Sequence, residues 1–403
     1  PRHDNWTALM RIVHTSDWHL GRSFGPVSLH DDQVAFCDAF VRIVEAHKAD
    51  LVVIAGDIYD RAVAPTESIE LFRETLRRLR KLDVVVAVIS GNHDGADRLS
   101  PYDDLLDGSG VYVRGGYEGA GRVIPLEFDD GPLDLVLLPF LNPMAAPDED
   151  SGHTAEEKIE RSVRRTHQQV LADAIEQARS ELRAPRSVAV AHAFVTGGDR
   201  PEDQPEESTS ERALEVGGQG AVNAAVFDGF SYTALGHLHR PQNVGSDTIR
   251  YCGTPLPYSF SEDHEKSVSI IDMDADGAVE ISTVALNVGR RVYSMTGTMN
   301  ELLDAVNHPE AVECFVRATV TDPGLVLDAK SRLEATYPLT IEVHLQPSGG
   351  VATTAAEPMA SPDRLDPLET VLAFWAERES AEPTDVEREL LIAAVEAAEQ
   401  GAS

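Results

Sequence analysis

Length and charge set the first limits on this chain of 403 residues. At roughly 100–200 residues per domain it has room for two or three domains, and its 42% hydrophobic content is ordinary for a globular protein. Acidic residues number 68 against 34 Lys and Arg, a net charge of −34. Such an excess repels phosphate backbones, which argues against non-specific DNA binding through a basic face. Any nucleic-acid role must rest on local positive charge, bound metal or a partner.

Cysteine content and hydropathy indicate in which cellular compartment the chain is expected. The three cysteines are widely spaced and form no CxxC pair, so neither a disulfide framework nor a thiolate zinc site is indicated, and a reducing cytoplasm fits. No run of about 18 apolar residues and no basic-then-apolar leader is present, so we expect no membrane span and no secretion signal. The nine residues before Met10 are interpreted as a remnant or misplaced start and are left out of the predicted fold.

Eight short apolar runs predict buried strands: residues 9–13, 51–55, 84–89, 133–138, 187–191, 232–235, 267–271 and 279–284. Three segments in which apolar residues recur three or four apart predict helices: residues 32–47, 66–82 and 154–182. Strands that alternate with helices indicate an α/β layered domain over residues 10–287.

The pattern changes after residue 287. Residues 288–346 predict a small βαβαβ-like unit, with helices near 299–306 and 326–336 and strands near 313–321 and 339–345. Residues 347–362 are rich in Gly, Ala, Thr, Ser and Pro and predict a flexible linker. The acidic loop 199–211 is interpreted as solvated.

Residues 363–400 predict two amphipathic helices. Apolar residues share one helical face in each, and the candidates for contact with a partner are Leu368, Val371, Leu372, Trp375 and Leu390. Two such helices cannot bury themselves alone. They either pack back on the body of the protein or dock on a partner helix.

Five predicted strands lead into polar clusters of one chemical kind. The clusters contain Asp17 and His19; Asp57 and Asp60; Asn92 and His93; His192; and His237 and His239. In α/β sheets ligands bind beyond the carboxyl ends of strands, so we expect the five clusters to converge on one rim. A single one of these motifs is weak, because a lone histidine there is more often structural and a GDxxD segment is more often a capped turn. Five such motifs in order, each after a predicted strand, make an ordinary structural role for all of them improbable.

Carboxylate, imidazole and amide oxygen form a mixed ligand set that suits Mn²⁺, Fe²⁺ or Zn²⁺ better than Mg²⁺ alone. Seven candidate ligands are too many for one ion and suffice for two: Asp17, His19, Asp57, Asn92, His192, His237 and His239. One residue separates Asp17 from His19, and one residue separates His237 from His239. In an extended segment this spacing places both side chains of a pair on the same side.

These clusters resemble the five signature motifs of the calcineurin-like metallophosphoesterases. Longer segments are similar to the SbcD nuclease family, bacterial relatives of the eukaryotic double-strand-break repair nuclease: HTSDWHLGR (14–22), GDIYDRAVAP (56–65), ALGHLHRPQ (234–242) and PLPYSFSE (255–262). The likeness continues through residues 321–333, similar to that family's capping domain, and residues 366–375, similar to its segment that binds the ATPase subunit. The resemblance implies a four-layer αββα sandwich, a DNA-binding α/β capping domain at 288–346 and C-terminal partner-binding helices.

The resemblance also implies residue roles. One metal would be held by Asp17, His19, Asp57 and His239, and the other by Asp57, Asn92, His192 and His237. His93 would stabilise or protonate the leaving oxygen, while Asp60 would fix the orientation of its ring and raise its basicity. Mn²⁺ is the expected metal, with Mg²⁺, Fe²⁺ and Zn²⁺ as alternatives.

Four arginines lie directly beside the motifs: Arg22, Arg61, Arg98 and Arg240. Guanidinium groups suit bidentate contact with phosphate, so these residues are candidates for DNA binding. For each, pairing with a nearby acid such as Asp60, Asp97 or Asp104 is an equal alternative.

The preferred function is an Mn²⁺-dependent DNA exonuclease and endonuclease that acts on ends and hairpins. The resemblance implies an SbcC-type coiled-coil ATPase as partner, a homodimer within a heterotetramer, and a cytoplasmic, nucleoid-associated location. Two alternatives stay open: a phosphomonoesterase or cyclic-nucleotide phosphodiesterase on the same site, and a DNA-end-binding scaffold with structural metals.

Overall fold

The computed structural model describes residues 9–99, 103, 105–147, 165–198, 200, 203–211, 220–324, 326–346 and 388. The chain divides into two compact units, residues 1–346 and 347–403. The predicted linker and C-terminal helices, with Leu368, Val371, Leu372, Trp375 and Leu390, lie outside the described residues and stay a prediction. Within the described residues no helix combines the length and apolar character needed to cross a bilayer.

The strands of the first unit are β1 Met10–Thr15, β2 Ser23–Phe24, β3 Val27–Ser28, β4 Leu51–Ala55, β5 Val85–Ile89, β6 Val111–Arg114, β7 Val123–Phe128, β8 Gly131–Leu138, β9 Ser187–His192, β10 Phe194–Thr196, β11 Ala221–Asn223, β12 Tyr232–Gly236, β13 Gln242–Val244, β14 Ser246–Tyr251, β15 Ser267–Met273, β16 Val279–Ala285, β17 Val292–Gly297, β18 Phe315–Val320 and β19 Thr340–Leu345. Its described helices are α1 His30–His47, α2 Thr66–Lys81, α3 Ala96–Leu99, α4 His167–Glu181, α5 Met299–Leu302 and α6 Ala329–Glu334.

Two six-stranded sheets form the body of this unit. The first has the order β16-β15-β1-β4-β5-β6, and the second has the order β13-β14-β12-β9-β8-β7. Strands β1, β4, β5 and β6 run parallel, as do β14, β12, β9 and β8. Each sheet therefore gathers the carboxyl ends of several strands at one edge, where ligands bind in α/β folds.

Alternation along the central strands gives each sheet two apolar faces. Ile12 and Val53 of the first sheet pack against Leu135 and Val190 of the second in a shared core. On the outer face of the first sheet, Val13 and its neighbours pack against α1 and α2, and α4 covers the outer face of the second. The order helix, sheet, sheet, helix confirms the layered α/β sandwich expected from the sequence.

All eight predicted apolar runs are strands, with bounds that shift by at most two residues. Polar or short strands such as β6, β7 and β14 were not predicted, since edge strands such as β7, with Pro125, lack a continuous apolar run. The helix predicted over 154–182 is described as His167–Glu181, and residues 154–164 lie outside the described part of the chain.

A three-stranded parallel sheet, β17-β18-β19, follows the sandwich. It has its own apolar cluster, which includes Met295 and Leu333, and its helices are shorter than predicted. Phe315 of β18 joins the sandwich core instead and stacks on Phe24 with ring centroids 4.4 Å apart. The division of this unit at residues 287 and 288 stays a prediction.

Candidate metal centre

The five polar clusters meet at the rim formed by the carboxyl ends of the parallel strands. Asp17 and His19 follow β1, Asp57 follows β4, Asn92 and His93 follow β5, His192 ends β9, and His237 and His239 follow β12. The main chain joins these loops, because the Asp17 amide donates to the Gly56 carbonyl (3.0 Å) and the His19 amide donates to the Asp57 carbonyl (2.9 Å). Both sheets therefore contribute side chains to one site.

Four of these residues have left-handed backbone conformations that non-glycine residues rarely adopt. Asp17, His19, Asp57 and His237 have φ values of 54°, 43°, 49° and 110°. Each such residue costs on the order of 1–3 kcal/mol and persists where the surrounding structure requires it, often at functional sites. The loops are shaped to direct side chains at the expense of backbone strain.

Two glycines allow the loops to approach. A Cβ atom on Gly56, whose φ is +86°, would lie 2.3 Å from Nδ1 of His192. On Gly91 a Cβ atom would lie 2.1 Å from Oδ1 of Asp57. Any side chain at either position would displace a predicted ligand.

The seven predicted ligands form one continuous cluster with Asp57 near its centre. Its Oδ2 lies 3.7 Å from Nε2 of His19 and 3.5 Å from Nε2 of His192. Ligand atoms of Asp17, His19 and His239 lie within 4.8 Å of one another, as do those of Asp17, Asp57 and His192. Oδ1 of Asn92 lies 2.9 Å from Nε2 of His192 and 3.3 Å from Nδ1 of His237. The division of these residues between two ions stays a prediction.

The chemistry of the cluster fits bound cations. Neither ring nitrogen of His19 has a hydrogen-bond partner among the described residues, although both are buried. Burial, and then the charge of Asp57, raises the pKa of Asp17 well above its usual value, and burial raises the pKa of Asp57. Buried polar atoms without partners and adjacent buried carboxylates are costly unless something positive binds them.

The histidines are held in the form that binds metal. Burial lowers the pKa of His192 to about 4, and it lowers the pKa values of His19, His237 and His239 as well. A neutral imidazole keeps one lone pair free for a cation.

His93 lies at the partly exposed mouth of this cluster. Its amide donates to Oδ1 of Asp57 (2.8 Å), and its Nδ1 lies 2.9 Å from the main-chain carbonyl of Asp60. Asp60 was predicted to fix the orientation of this ring, and its contact with the ring is made by the main-chain carbonyl, while its carboxylate pairs with Arg22 at 3.2 Å. The Asp60 amide donates to the carbonyl of Leu20 (3.2 Å), which fixes the main chain of this loop through a distant segment.

Asp94 was not assigned a role from the sequence. Its carboxylate accepts hydrogen bonds from the amides of Gly91 (2.8 Å), Ile58 (3.1 Å) and Tyr59 (2.9 Å). It thereby joins the loop that carries Asn92 to the loop that carries Asp57. The sequence signal that could have indicated this role was the position of Asp94 directly after Asn92 and His93.

Residues 206–211 close one side of the site, so the expectation that the loop 199–211 is merely solvated was wrong for this part. Oγ of Ser210 lies 2.8 Å from Nδ1 of His239, and Oε1 of Glu211 accepts the amide of His239 at 2.6 Å. Burial raises the pKa of Glu211 to about 7. The acidic, Ser-rich composition suggested solvent exposure, and nothing local in the sequence indicated these distant contacts.

A buried charge pair lies behind His239. Oε1 of Glu262 is 2.9 Å from Nδ1 of His239, and Oε2 is 2.6 Å from Nζ of Lys266. Burial would raise the pKa of Glu262, but Lys266 and His239 together hold it well below its usual range. No role for Glu262 was predicted from the sequence, where it ends the family-like segment 255–262.

The four predicted arginines have different surroundings. Arg22 pairs with Asp60 and lies 4.9 Å over the ring of Tyr258, and Arg240 pairs with Glu206 at 3.0 Å. Arg61 and Arg98 are exposed. The acid-pairing alternative therefore holds for Arg22 and Arg240, while DNA contact by any of the four stays a prediction.

Comparisons with known proteins agree with this geometry. Residues 10–241 match the family model of the calcineurin-like phosphoesterases. Residues 288–379 match the SbcD_C model, described as the type 5 capsule protein repressor C-terminal domain. A sandwich with acid and histidine ligands at the carboxyl rim, in this family, defines a metal-dependent phosphodiesterase.

The particular family follows from a curated relative. The SbcD subunit of the SbcCD nuclease of Staphylococcus epidermidis is 30% identical over 333 residues, which cover 82% of this chain and 83% of the relative. The chain belongs to the family of the SbcD nuclease subunits, within the calcineurin-like phosphoesterases.

Two solved structures are also similar. TT1561 of Thermus thermophilus has a TM-score of 0.37 and 12% identity, and covers 70% of this chain and 100% of its own. A dimetal phosphatase from Danio rerio has a TM-score of 0.38 and 13% identity, and covers 69% of this chain and 99% of its own. At such scores neither adds an argument to the family assignment.

Proposed function

We propose that this chain is an Mn²⁺-dependent DNA nuclease, with double-strand exonuclease activity and endonuclease activity on single strands and hairpins. The observation that carries the proposal is the convergence of seven nitrogen and oxygen ligands, from loops of both sheets, around the buried Asp57. The family match to a nuclease subunit over most of the chain supports a nucleic acid as the substrate, and we propose DNA.

We take the ligand roles from the family motifs, and the proximity of these residues supports them. Asp17, His19, Asp57 and His239 would hold one divalent cation, and Asp57, Asn92, His192 and His237 would hold the other. When bound, two such cations activate a water molecule and neutralise charge that develops on the phosphodiester. Burial of these residues keeps the site at low dielectric, where their charges act most strongly.

His93 is the candidate proton donor to the leaving oxygen. Its Nδ1 bonds the Asp60 carbonyl, an acceptor only, so Nδ1 carries a proton. His93 would then act as a donor in its doubly protonated form, giving the second proton, on Nε2, to the leaving oxygen and returning to the neutral Nδ1–H ring. Its amide is held by Asp57, which ties the donor to the ligand cluster. Asp60 thus acts on His93 through its main chain, while its side chain holds Arg22.

The proposed function also includes contacts with DNA and assembly with a partner protein. Arg61 and Arg98 are exposed and would supply local positive charge for the DNA backbone on a chain whose net charge is −34, and Arg22 and Arg240, although paired with acids, stay candidates for phosphate contact. An SbcC-type ATPase would dock on residues 363–400, two copies of the nuclease would assemble with it, and the complex would act on DNA ends in the cytoplasm during repair and recombination. DNA binding by this chain alone would then be weak and salt-sensitive.

Incubation of the purified chain with linear and hairpin DNA plus Mn²⁺, with and without chelator, tests the proposal. We expect both DNAs to be degraded only when Mn²⁺ is free. Intact DNA together with rapid hydrolysis of a small phosphomonoester would favour the phosphomonoesterase alternative. Metal-dependent binding of ends without any hydrolysis would favour the scaffold alternative. Addition of the ATPase partner and ATP then tests whether tight binding needs the complex.

A further inference from the structure

The side chain of Glu262 is fully enclosed and surrounded by groups that donate hydrogen bonds. Its Oε2 lies 2.6 Å from the ammonium of Lys266 and 2.9 Å from the hydroxyl of Thr254. Its Oε1 lies near the hydroxyls of Ser208 and Ser210. An ammonium group can only donate, so this environment is built for an acceptor-only carboxylate.

That carboxylate determines which nitrogen of His239 carries the proton. Oε1 of Glu262 is 2.9 Å from Nδ1 of His239, and the ring is 2% exposed. Because the carboxylate accepts, Nδ1 must donate, and the lone pair of the neutral ring is then on Nε2. One ring nitrogen of His239 lies within 4.8 Å of ligand atoms of Asp17 and His19. Because Nδ1 is bonded to Glu262, we infer that Nε2 is the nitrogen offered to the cation-binding cluster.

The other predicted histidine ligands make no such hydrogen bond. Nδ1 of His19 lies 3.8 Å from Oδ1 of Asp60, beyond hydrogen-bond distance. Nδ1 of His192 lies 2.9 Å from the carbonyl of Ala55, and Nδ1 of His237 lies 3.3 Å from Asn92. Among the described residues, His239 is thus the ligand histidine whose ring bonds a carboxylate backed by its own cation. A carboxylate behind a ligand histidine fixes the tautomer and makes the ligand more basic.

We propose that Glu262, held by Lys266, is a positioning residue that keeps His239 in its Nδ1–H form and so sets the affinity of one of the two cation sites. The proposal rests on the proposed function only in taking His239 as a metal ligand. It adds a residue outside the strand-end motifs to the machinery of the site.

Nitrogen chemical shifts of ¹⁵N-labelled histidine in the chelated protein test the tautomer directly. We expect the His239 ring, assigned through the signal lost in His239→Gln, to show a protonated Nδ1 and an unprotonated Nε2. An Nε2–H ring in the wild-type protein would overturn the proposal. This measurement needs neither metal nor DNA cleavage, so its failure is distinct from failure of the proposed function.

Calorimetric titration of Mn²⁺ into the chelated protein tests the affinity. We expect Glu262→Gln to weaken one of the two sites by about 10–100-fold, the usual effect of losing a partner of a metal ligand. Glu265→Gln is the matched control, because Glu265 is an exposed neighbour and its substitution should leave both sites unchanged. Unchanged binding by folded Glu262→Gln would contradict the proposal.

A double variant separates positioning from folding. Glu262→Gln with Lys266→Met removes both buried charges, and replacement of a buried ion pair by uncharged groups is often neutral for stability. We expect a melting temperature near that of the wild type, a mixed tautomer at His239 and a site still weakened by about 10–100-fold. Wild-type affinity in this variant would show that Glu262 only stabilises the fold and would overturn the proposal, even if Glu262→Gln alone fails to fold.

Discussion

At the carboxyl ends of the central strands the carboxylates of Asp17 and Asp57 are buried within 4.8 Å of each other, whereas at the amino ends of β8 and β9 the carboxylate of Asp130 meets a guanidinium. Arg186 is fully buried there and uses all five of its N–H groups, two of them on Asp130. Its other acceptors are the carbonyls of Gly131 and Pro132, at the start of β8 in the second sheet, and of Asp274, which follows β15 of the first sheet.

The two ends of the sandwich therefore use buried charge for different purposes. At the Arg186 end the buried guanidinium has its counter-charge within the protein, and its hydrogen bonds reach both sheets. At the other end, His19 has no hydrogen-bond partner among the described residues and four residues have strained backbones. Such a site costs stability in the absence of its ligand, as functional sites commonly do.

Replacement of a buried aspartate by asparagine at each end of the sandwich gives the sharpest test of this difference. We expect Asp57→Asn to abolish metal-dependent hydrolysis, beyond the about 10²–10⁴-fold loss that removal of a proton-transfer group alone produces. In chelator this variant should melt at a higher temperature than the wild type, because one of two adjacent buried charges is gone. DNA degradation and thermal unfolding measure the two effects, with Asp130→Asn as the control. A chelated Asp57→Asn protein that melts below the wild type would contradict this view of the rim.

The next largest effect is expected at His93. His93→Ala should slow cleavage by about 10²–10⁴-fold while Mn²⁺ and DNA binding persist. Asp60→Asn is the matched comparison, because it keeps the main-chain carbonyl that bonds Nδ1 and alters only the pairing with Arg22. Single-turnover rates for the two variants measure the difference. Equal losses would show that the Asp60 carboxylate acts on the ring after all.

The contrast between His93 and Asp60 also shows how much of the site could be predicted from the sequence. The strand-end motifs predicted which residues gather at the rim, because a buried strand followed by a polar turn is a local pattern. Whether Asp60 uses its carboxylate or its carbonyl depends on a main-chain bond to Leu20, which no local pattern encodes.

Contacts between distant segments account for most of what was missed. Ser210 and Glu262 reach His239 from two separate loops, and Arg186 reaches Asp130 from the start of another strand. Likewise the apolar runs predicted the central strands of the fold. Strands such as β14, with Ser246 and Asp247 at its start, are fixed by pairing with their neighbours rather than by their own hydrophobicity.

At the opposite end Asp130→Asn should destabilise the protein without affecting the site. Loss of one partner leaves the buried guanidinium of Arg186 without its counter-charge, which costs about 3 kcal/mol of unfolding free energy. Urea unfolding measures this loss, and cleavage per folded molecule should stay at the wild-type level. Lost cleavage with unchanged stability would mean that the two ends are not independent.

The pH dependence of that loss carries a definite sign. Hydrogen bonds from Arg186 hold the pKa of Asp130 below its ordinary value. The stabilisation is therefore complete above about pH 4, the unfolded value for aspartate, and is lost as the pH falls through the lower folded value. The difference in unfolding free energy between the wild type and Asp130→Asn should shrink in that acidic window. A difference that stays constant down to about pH 2 would contradict the ion pair.

The smallest effect is expected from the hydroxyl that closes the rim. Ser210→Ala removes a group 2.8 Å from Nδ1 of His239 but leaves the carboxylate of Glu262 at 2.9 Å from the same nitrogen. One hydrogen bond contributes about 0.5–1.5 kcal/mol, so Mn²⁺ affinity should fall by less than roughly tenfold. Ser261→Ala, which loses bonds only to neighbouring hydroxyls and the Thr209 amide, is the control and should bind Mn²⁺ as the wild type does. If Ser210→Ala weakened binding more than Glu262→Gln, the 206–211 segment, rather than the buried ion pair, would be what orients His239.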